Sequence, residues 1–539
     1  MTLTSYNNFD KVHVLYNAKI HTQDVKQPLV NALAFRNGRI VALGTDEQVL
    51  TAFPSRASAQ DMDGLVILPG LTDAHIHLEY YGRGLQKVDC ETPTKAECLR
   101  RVTDRLRSTP PGKWVLGHGW NQNVWEGGAF PCAADLDAIS RTHPILLTAK
   151  SLHAAWANSL ALQMAGINAK NAQHNPMIPL DAQGNLSGIL LEDASELILS
   201  RIPAPSPDEL NAALLDAQTS LWKMGITGVH NFDGGRCFSA LQAIHCAGKL
   251  RLRVLQDVPL DLLDHAVGLG LRGGFGDDFL RIGSVKAFMD GALGPQTAAM
   301  LEPFEQATNN KGMLLMDGEQ LFEHGKKAAQ CGLSMAVHAI GDRATHEALN
   351  AFEQLRSYER TQGLPALRHR IEHLQLLHTQ DVDRPARLGV IASMQPVHAT
   401  SDMEIAERYW GQRAALSYAW QSQRQAGALL VFGADAPVES PNPFWGLHAA
   451  VTRRRMDGSP GKEGWYAEQR LSLTYALHAY TTAAAFAAGM EDRLGMLSPG
   501  FYADLIVLEQ DPFEMDAQDL HSLQVRGTLV NGEWVLPVV

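Results

Sequence analysis

Cysteine is scarce and unpatterned in this 539-residue chain: Cys90, Cys98, Cys132, Cys237, Cys246 and Cys331 are scattered, with no CxxC spacing among them. That argues against a disulfide framework or a zinc–thiolate site, and reduced thiols are the expected state. Positive charge is also short, with 46 Lys and Arg against 58 Asp and Glu and a formal net charge of −12. Nucleic acid and anionic membranes need a basic face. The run Arg453-Arg454-Arg455 is too brief to supply one and reads as solvated surface or ion pairing. Long apolar runs are missing as well, and the N-terminal MTLTSYNNFDKVHVLYNAKIHT has no basic segment followed by an apolar core. Neither a membrane span nor a leader is indicated, so a cytoplasmic location is the expectation. What is present is globular composition, 45% hydrophobic and 19% charged. The length suits several domains or one large barrel with insertions.

Both ends of the chain carry short β-type runs. Val12 to Tyr16, Ala32 to Arg36 and Arg39 to Ala42 surround an Asn37-Gly38 turn, and Ala503 to Leu508, Gln524 to Val530 and Glu533 to Leu536 surround Asn531-Gly532. Asn-Gly between apolar runs is a hairpin signal. The expected organisation is a small β-sandwich built from 1–64 and 491–539, flanking a region 65–490 in which short apolar strands alternate with helical stretches. That alternation is the mark of a parallel sheet. Eight strands, ending near His75, His230, Asp257, Lys286, His338, Glu372, Gln395 and Asp435, predict an α/β fold of the TIM-type (β/α)8 barrel class. The stretch from about 84 to 207 is too long for one connection and is expected to be an insertion over the barrel mouth, where it would shape a substrate pocket.

In such barrels the chemistry sits at the C-terminal strand ends. Here those ends offer His75 and His77 after the first strand, Lys286 after the fourth, His338 after the fifth, His373 after the sixth and Asp435 after the eighth. His75 and His77, two apart on a strand, share a face and can aim at one point. Any one of these residues alone reads more simply as a core histidine or a helix cap. Together they read as a metal centre.

The strings PGLTDAHIHL (69–78), HAAWANSLAL (153–162), KAFMDGALGPQTA (286–298), HAIGDRA (338–344), RIEHLQ (370–375) and GADAPV (433–438) resemble those of the amidohydrolase superfamily, in particular its branch containing N-substituted formamide deformylase and YtcJ-like proteins. The resemblance implies that His75, His77 and Asp435 bind one metal and that His338 and His373 bind a second. It also implies that Lys286, carboxylated by carbon dioxide, bridges the two. Without carboxylation, Lys286 would orient substrate or pair with Asp290 and the site would hold one metal. Zinc is the chemical default for such a ligand set. Asp435 would accept the water proton and later pass it to the departing nitrogen. His153 and Arg343 are candidate donors to the developing oxyanion, and Glu192 and His398 match family strings near the pocket. Trp120, Trp125 and Trp156 are candidates to line an apolar wall. Asp73 either caps a turn or holds a ligand's ring nitrogen, while Glu372, facing away from His373 if alternation persists, is expected to be structural.

The expected activity is hydrolysis of a non-peptide carbon–nitrogen (amide) bond by metal-activated hydroxide, in an N-substituted formamide or N-acyl compound. One alternative is deamination of a cyclic nitrogen compound at a single metal. Deaminases of the superfamily commonly carry a glutamate shortly after the fifth-strand histidine, where this chain has Ala339-Ile340-Gly341-Asp342. The other alternative is a metal-binding protein that has lost catalysis, against which the full ligand set argues. The expected partner is a small-molecule substrate, with no nucleic acid and no membrane; association into a homo-oligomer stays open.

Overall fold

The computed structural model describes residues 11–54, 58–151, 153–307 and 309–538, so the stretch read for a leader lies partly outside them. The chain divides into two compact units, 82–213 and the remainder.

The larger unit is organised around an eight-stranded parallel sheet in sequential order. Its strands are β1 Leu71–Ile76, β2 Ile226–Asn231, β3 Arg253–Pro259, β4 Leu280–Phe288, β5 Met335–Ala339, β6 Arg370–His373, β7 Ile391–Met394 and β8 Leu430–Phe432. Nearly every strand residue is buried, as expected of a sheet covered on both faces. Helices fill the crossovers, among them Gly318–Gln330 between β4 and β5 and Asp342–Thr361 between β5 and β6. The second of these turns Ala344, Ala348, Ala351, Phe352 and Leu355 inward at helical spacing. The sheet closes through a parallel bridge between Ile76 and Ala436. There the Asp435 N–H donates to the His75 carbonyl at 2.7 Å and the His77 N–H to the Ala436 carbonyl at 2.9 Å.

The chain ends contribute two further sheets. One pairs Arg39–Gly44, Ala32–Arg36, His13–Tyr16 and Ala59–Asp61 in that order; the other runs Glu533–Leu536, Val525–Val530, Leu505–Leu508, Val66–Pro69, Lys19–His21 and Leu29–Val30. Both Asn-Gly turns form with positive φ at each residue, 52° and 74° at Asn37-Gly38 and 53° and 74° at Asn531-Gly532, the requirement of a tight hairpin turn. The two turns abut, and a Cβ at residue 38 would lie 2.4 Å from Asn531 Oδ1. Chain start and chain end are thus locked together by their glycines.

The 82–213 unit has its own five-stranded sheet, ordered Ile189–Leu191, Ala154–Ala157, Ile145–Ala149, Val115–Trp120, Val88–Asp89. Its core includes Trp120, Trp125, Trp156, Val102 and Leu136. All six cysteines are free thiols. Among the described residues no helix is long and apolar enough to cross a membrane.

Candidate metal centre

The C-terminal ends of the strands converge as barrel geometry requires. Asp435 Oδ1 lies 3.5 Å from His75 Nε2 and 3.4 Å from His77 Nε2. The His373 ring stands 4.9 Å from that of His75 and 4.5 Å from that of His338, centroid to centroid. Potential ligand atoms of His75, His77 and Asp435 lie within 4.8 Å of one another, and so do those of His373, His398 and Asp435.

Hydrogen bonds decide which nitrogen of each imidazole is available. His75 Nδ1 is 2.6 Å from Glu372 Oε2, and His77 Nδ1 is 3.2 Å from Asp233 Oδ1. His373 Nδ1 meets Gln395 Oε1 at 2.9 Å, and His338 Nε2 meets the Gly291 carbonyl at 2.9 Å. Each partner is an acceptor, so each of these nitrogens carries the proton and, in the neutral ring, the other keeps its lone pair. Fixing the tautomer through the far nitrogen is how proteins prepare histidine for a metal. The residues therefore fit a divalent ion: Nε2 of His75 and His77 with the Asp435 carboxylate, and His373 with the same carboxylate in a second such group; His338 keeps Nδ1 available beside the His373 ring.

Electrostatics agree for three of the four. Burial pushes His75 and His338 down to about 4, helped by the charge on Lys286, and burial holds His373 well below its usual value. These rings are neutral at neutral pH. His77 is the exception, raised to about 9 because Asp233 and Asp435 on either side outweigh its burial. Burial works against the charge on Asp435, yet the neighbouring imidazoles keep it well below the usual carboxylate range.

Glu372 is not the outward-facing structural residue that alternation predicts. His373 and the following Leu374 adopt φ of 73° and 44°, which breaks the period-two pattern and lets consecutive side chains serve the same centre. Glu372 is fully buried and bonded to Arg370, which also reaches the Ala74 carbonyl at 2.7 Å, Ser393 Oγ at 2.6 Å and His230 Nδ1 at 2.8 Å. Asp435 likewise has φ of 58°, and non-glycine residues in this left-handed region cluster at functional sites. The preceding Gly433 has no room for a side chain, since a Cβ would lie 2.4 Å from the His75 amide nitrogen and 2.6 Å from Asp73 Oδ1. Asp73 proves to be the cap: its Oδ1 accepts the N–H groups of His75 at 3.0 Å and Ala434 at 3.1 Å.

Residues 58–536 match the Amidohydrolase family. The chain belongs to that family. Its relatives include Protein LONG AFTER FAR-RED 3 of Arabidopsis thaliana, 33% identical over 97% of this chain and 91% of the relative. YtcJ of Bacillus subtilis (strain 168) is 31% identical, covering 96% and 98%. N-substituted formamide deformylase of Arthrobacter pascens is 27% identical, covering 96% and 97%. Among solved structures, an uncharacterized metal-dependent hydrolase from Pyrococcus furiosus superposes with a TM-score of 0.76 at 29% identity, covering 94% of this chain and 100% of that one.

In this amidohydrolase, Lys286 is buried on β4, its Nζ 4.3 Å from the Phe232 ring centroid and 5.0 Å from that of Phe288. Burial lowers its pKa, which favours the neutral amine. It does not pair with Asp290, whose oxygens accept the backbone N–H groups of Ala299, Ile340 and Gly341. Arg343 is exposed at the start of helix Asp342–Thr361. His153 and Glu192 belong to the 82–213 unit, both exposed and joined at 2.8 Å. Trp120 corrects an expectation: it is wholly buried in that unit's core, stacked on Trp125, with its indole N–H donated to the Leu147 carbonyl at 2.8 Å. A ring so enclosed packs the unit and does not line a pocket. Sequence reading did not single out Asp233 or assign Gln395 a partner. The signal was available, since both polar residues follow closely on a strand that ends at the rim, in NFDGG and SMQP.

Proposed function

We propose that this family member hydrolyses the amide bond of a small non-peptide compound, an N-substituted formamide or a simple N-acyl amine. The observation that carries the reading is that His75, His77 and Asp435 offer ligand atoms within 4.8 Å of one another, with Nδ1 of His75 and of His77 each held by a carboxylate behind it. Similarity to an N-substituted formamide deformylase supports the substrate class. A divalent ion held there by the histidines and Asp435, with zinc the default, would acidify a water and polarise a carbonyl. Two ions are expected, and Lys286, once carboxylated, would help to hold them; burial lowers the pKa of its amine, which suits addition of carbon dioxide. Asp435 then has a proton-carrying role. Its carboxylate accepts the proton of the attacking water and returns it to the amide nitrogen, which leaves poorly unless protonated. The partner is the substrate itself, and the cytoplasm is the proposed location.

The test is metal analysis joined to a screen of formamides, N-acyl amino acids, cyclic amides and cyclic amidines. Turnover of linear amides is the expected result, and turnover of cyclic amidines alone, with release of ammonia, would replace the reading by deamination. Asp435→Asn should keep most of the metal and lose at least about a thousandfold in kcat. Near-normal turnover in that variant rules out the proton-carrying role.

A further inference from the structure

His398 is the residue at this centre whose chemistry is unspent. It lies in the first turn of helix Pro396–Trp410, which follows β7 directly and has Pro396 at its first position. The side chain is 7% exposed, and its Nε2 is a buried nitrogen with no hydrogen-bond partner. An unpaired buried polar atom costs free energy, so a native chain keeps one where something else satisfies it. The ring lies parallel to that of His373, 8° between planes with centroids 6.1 Å apart. Potential ligand atoms of His398, His373 and Asp435 fall within 4.8 Å of one another. Two nitrogens on one zinc, each at about 2.0–2.1 Å, can be no more than about 4.2 Å apart. Small rotamer shifts would close the difference.

We infer that His398 is a metal ligand, binding the second ion through Nε2 together with His373 and the shared Asp435. The inference rests on the two-ion reading above. It adds a ligand from the helix after β7, at a residue that the family resemblance placed near the pocket. It also has a chemical consequence. The first ion would face Asp435 and two histidines backed by carboxylates, whereas the second would face neutral imidazoles and a carboxylate it shares. An ion held there would be less neutralised by its surroundings and would supply the stronger Lewis acid.

Zinc stoichiometry of the purified full-length chain, measured by elemental analysis and by titration of the metal-free protein, tests this without any substrate. Wild type should bind two zinc ions. His398→Ala should bind one at full affinity, with the second lost or weakened at least tenfold, and added imidazole should restore the second by filling the vacated space. Circular dichroism checks that the variant is folded. Two ions held at unchanged affinity in His398→Ala, one ion in wild type, or a loss that imidazole leaves unrepaired would each overturn the assignment. Because no turnover is measured, failure of the amide-hydrolysis proposal would show in the substrate screen and leave this count unaffected.

Discussion

His75 and His77 lean on carboxylates, Glu372 and Asp233, whereas His338 and His373 lean on neutral oxygens, the Gly291 carbonyl and the Gln395 amide. An anionic partner makes an imidazole more basic and strengthens both its grip on a metal and its appetite for a proton. The first pair should bind its ion more tightly and with more dependence on pH; the second pair should hold its ion loosely and indifferently to pH. The contrast has a structural source. Glu372 can be an anion inside the barrel because Arg370 is bonded to it there, while no comparable cation backs Gln395.

The largest effect should come from removing that cation. Breaking a buried ion pair by deleting one partner typically costs about 3–5 kcal/mol, so Arg370→Met should lower stability by about that much in denaturant unfolding, and a loss below 1 kcal/mol would show that Glu372 does not depend on it. Next in size, Glu372→Gln should weaken the first ion by about 10–100-fold while leaving the second unchanged in a zinc titration. Equal weakening of both would erase the distinction between the halves. Gln395→Ala should do the reverse and more mildly, loosening the second ion by less than about tenfold because a neutral partner contributes less than an anionic one.

The two sites should also differ in their response to pH. With His77 held at about 9 in the metal-free site, metal binding below that pH must expel one proton, so first-site affinity should fall about tenfold for each unit from 9 downward. Above pH 9 the dependence should vanish. His338, at about 4, and His373, well below its usual value, carry no proton to expel at neutral pH and so add no such slope to the second site. Asp233→Asn lowers the His77 pKa and should shift the first-site break point to lower pH. A break that stays at 9 would mean that Asp435 alone sets it.

The strand order and most of the centre could be read before any coordinates, because barrel strands are apolar runs and each ended in a polar residue that stood out. The partners of the ligands could not. Glu372 was misjudged because alternation holds only while φ stays extended, and His373 at φ 73° ends it. Asp233 holds His77 across 156 positions of sequence, a proximity that no local pattern encodes. Trp120 misled because an aromatic side chain looks the same in a sequence whether it faces a ligand or three other rings.

The join between β8 and β1 deserves a mechanical view. The backbone bonds made there belong to His75, His77 and Asp435 themselves, through Asp435 N–H to His75 and His77 N–H to Ala436, and the same three residues offer side-chain ligands. An ion on those side chains would therefore act as a rivet across the joint that closes the barrel. Stripping the metal should loosen this joint before any other part of the sheet. Faster amide exchange at 75–78 and 435–438, with the β4–β5 amides still protected, would register it as a local opening.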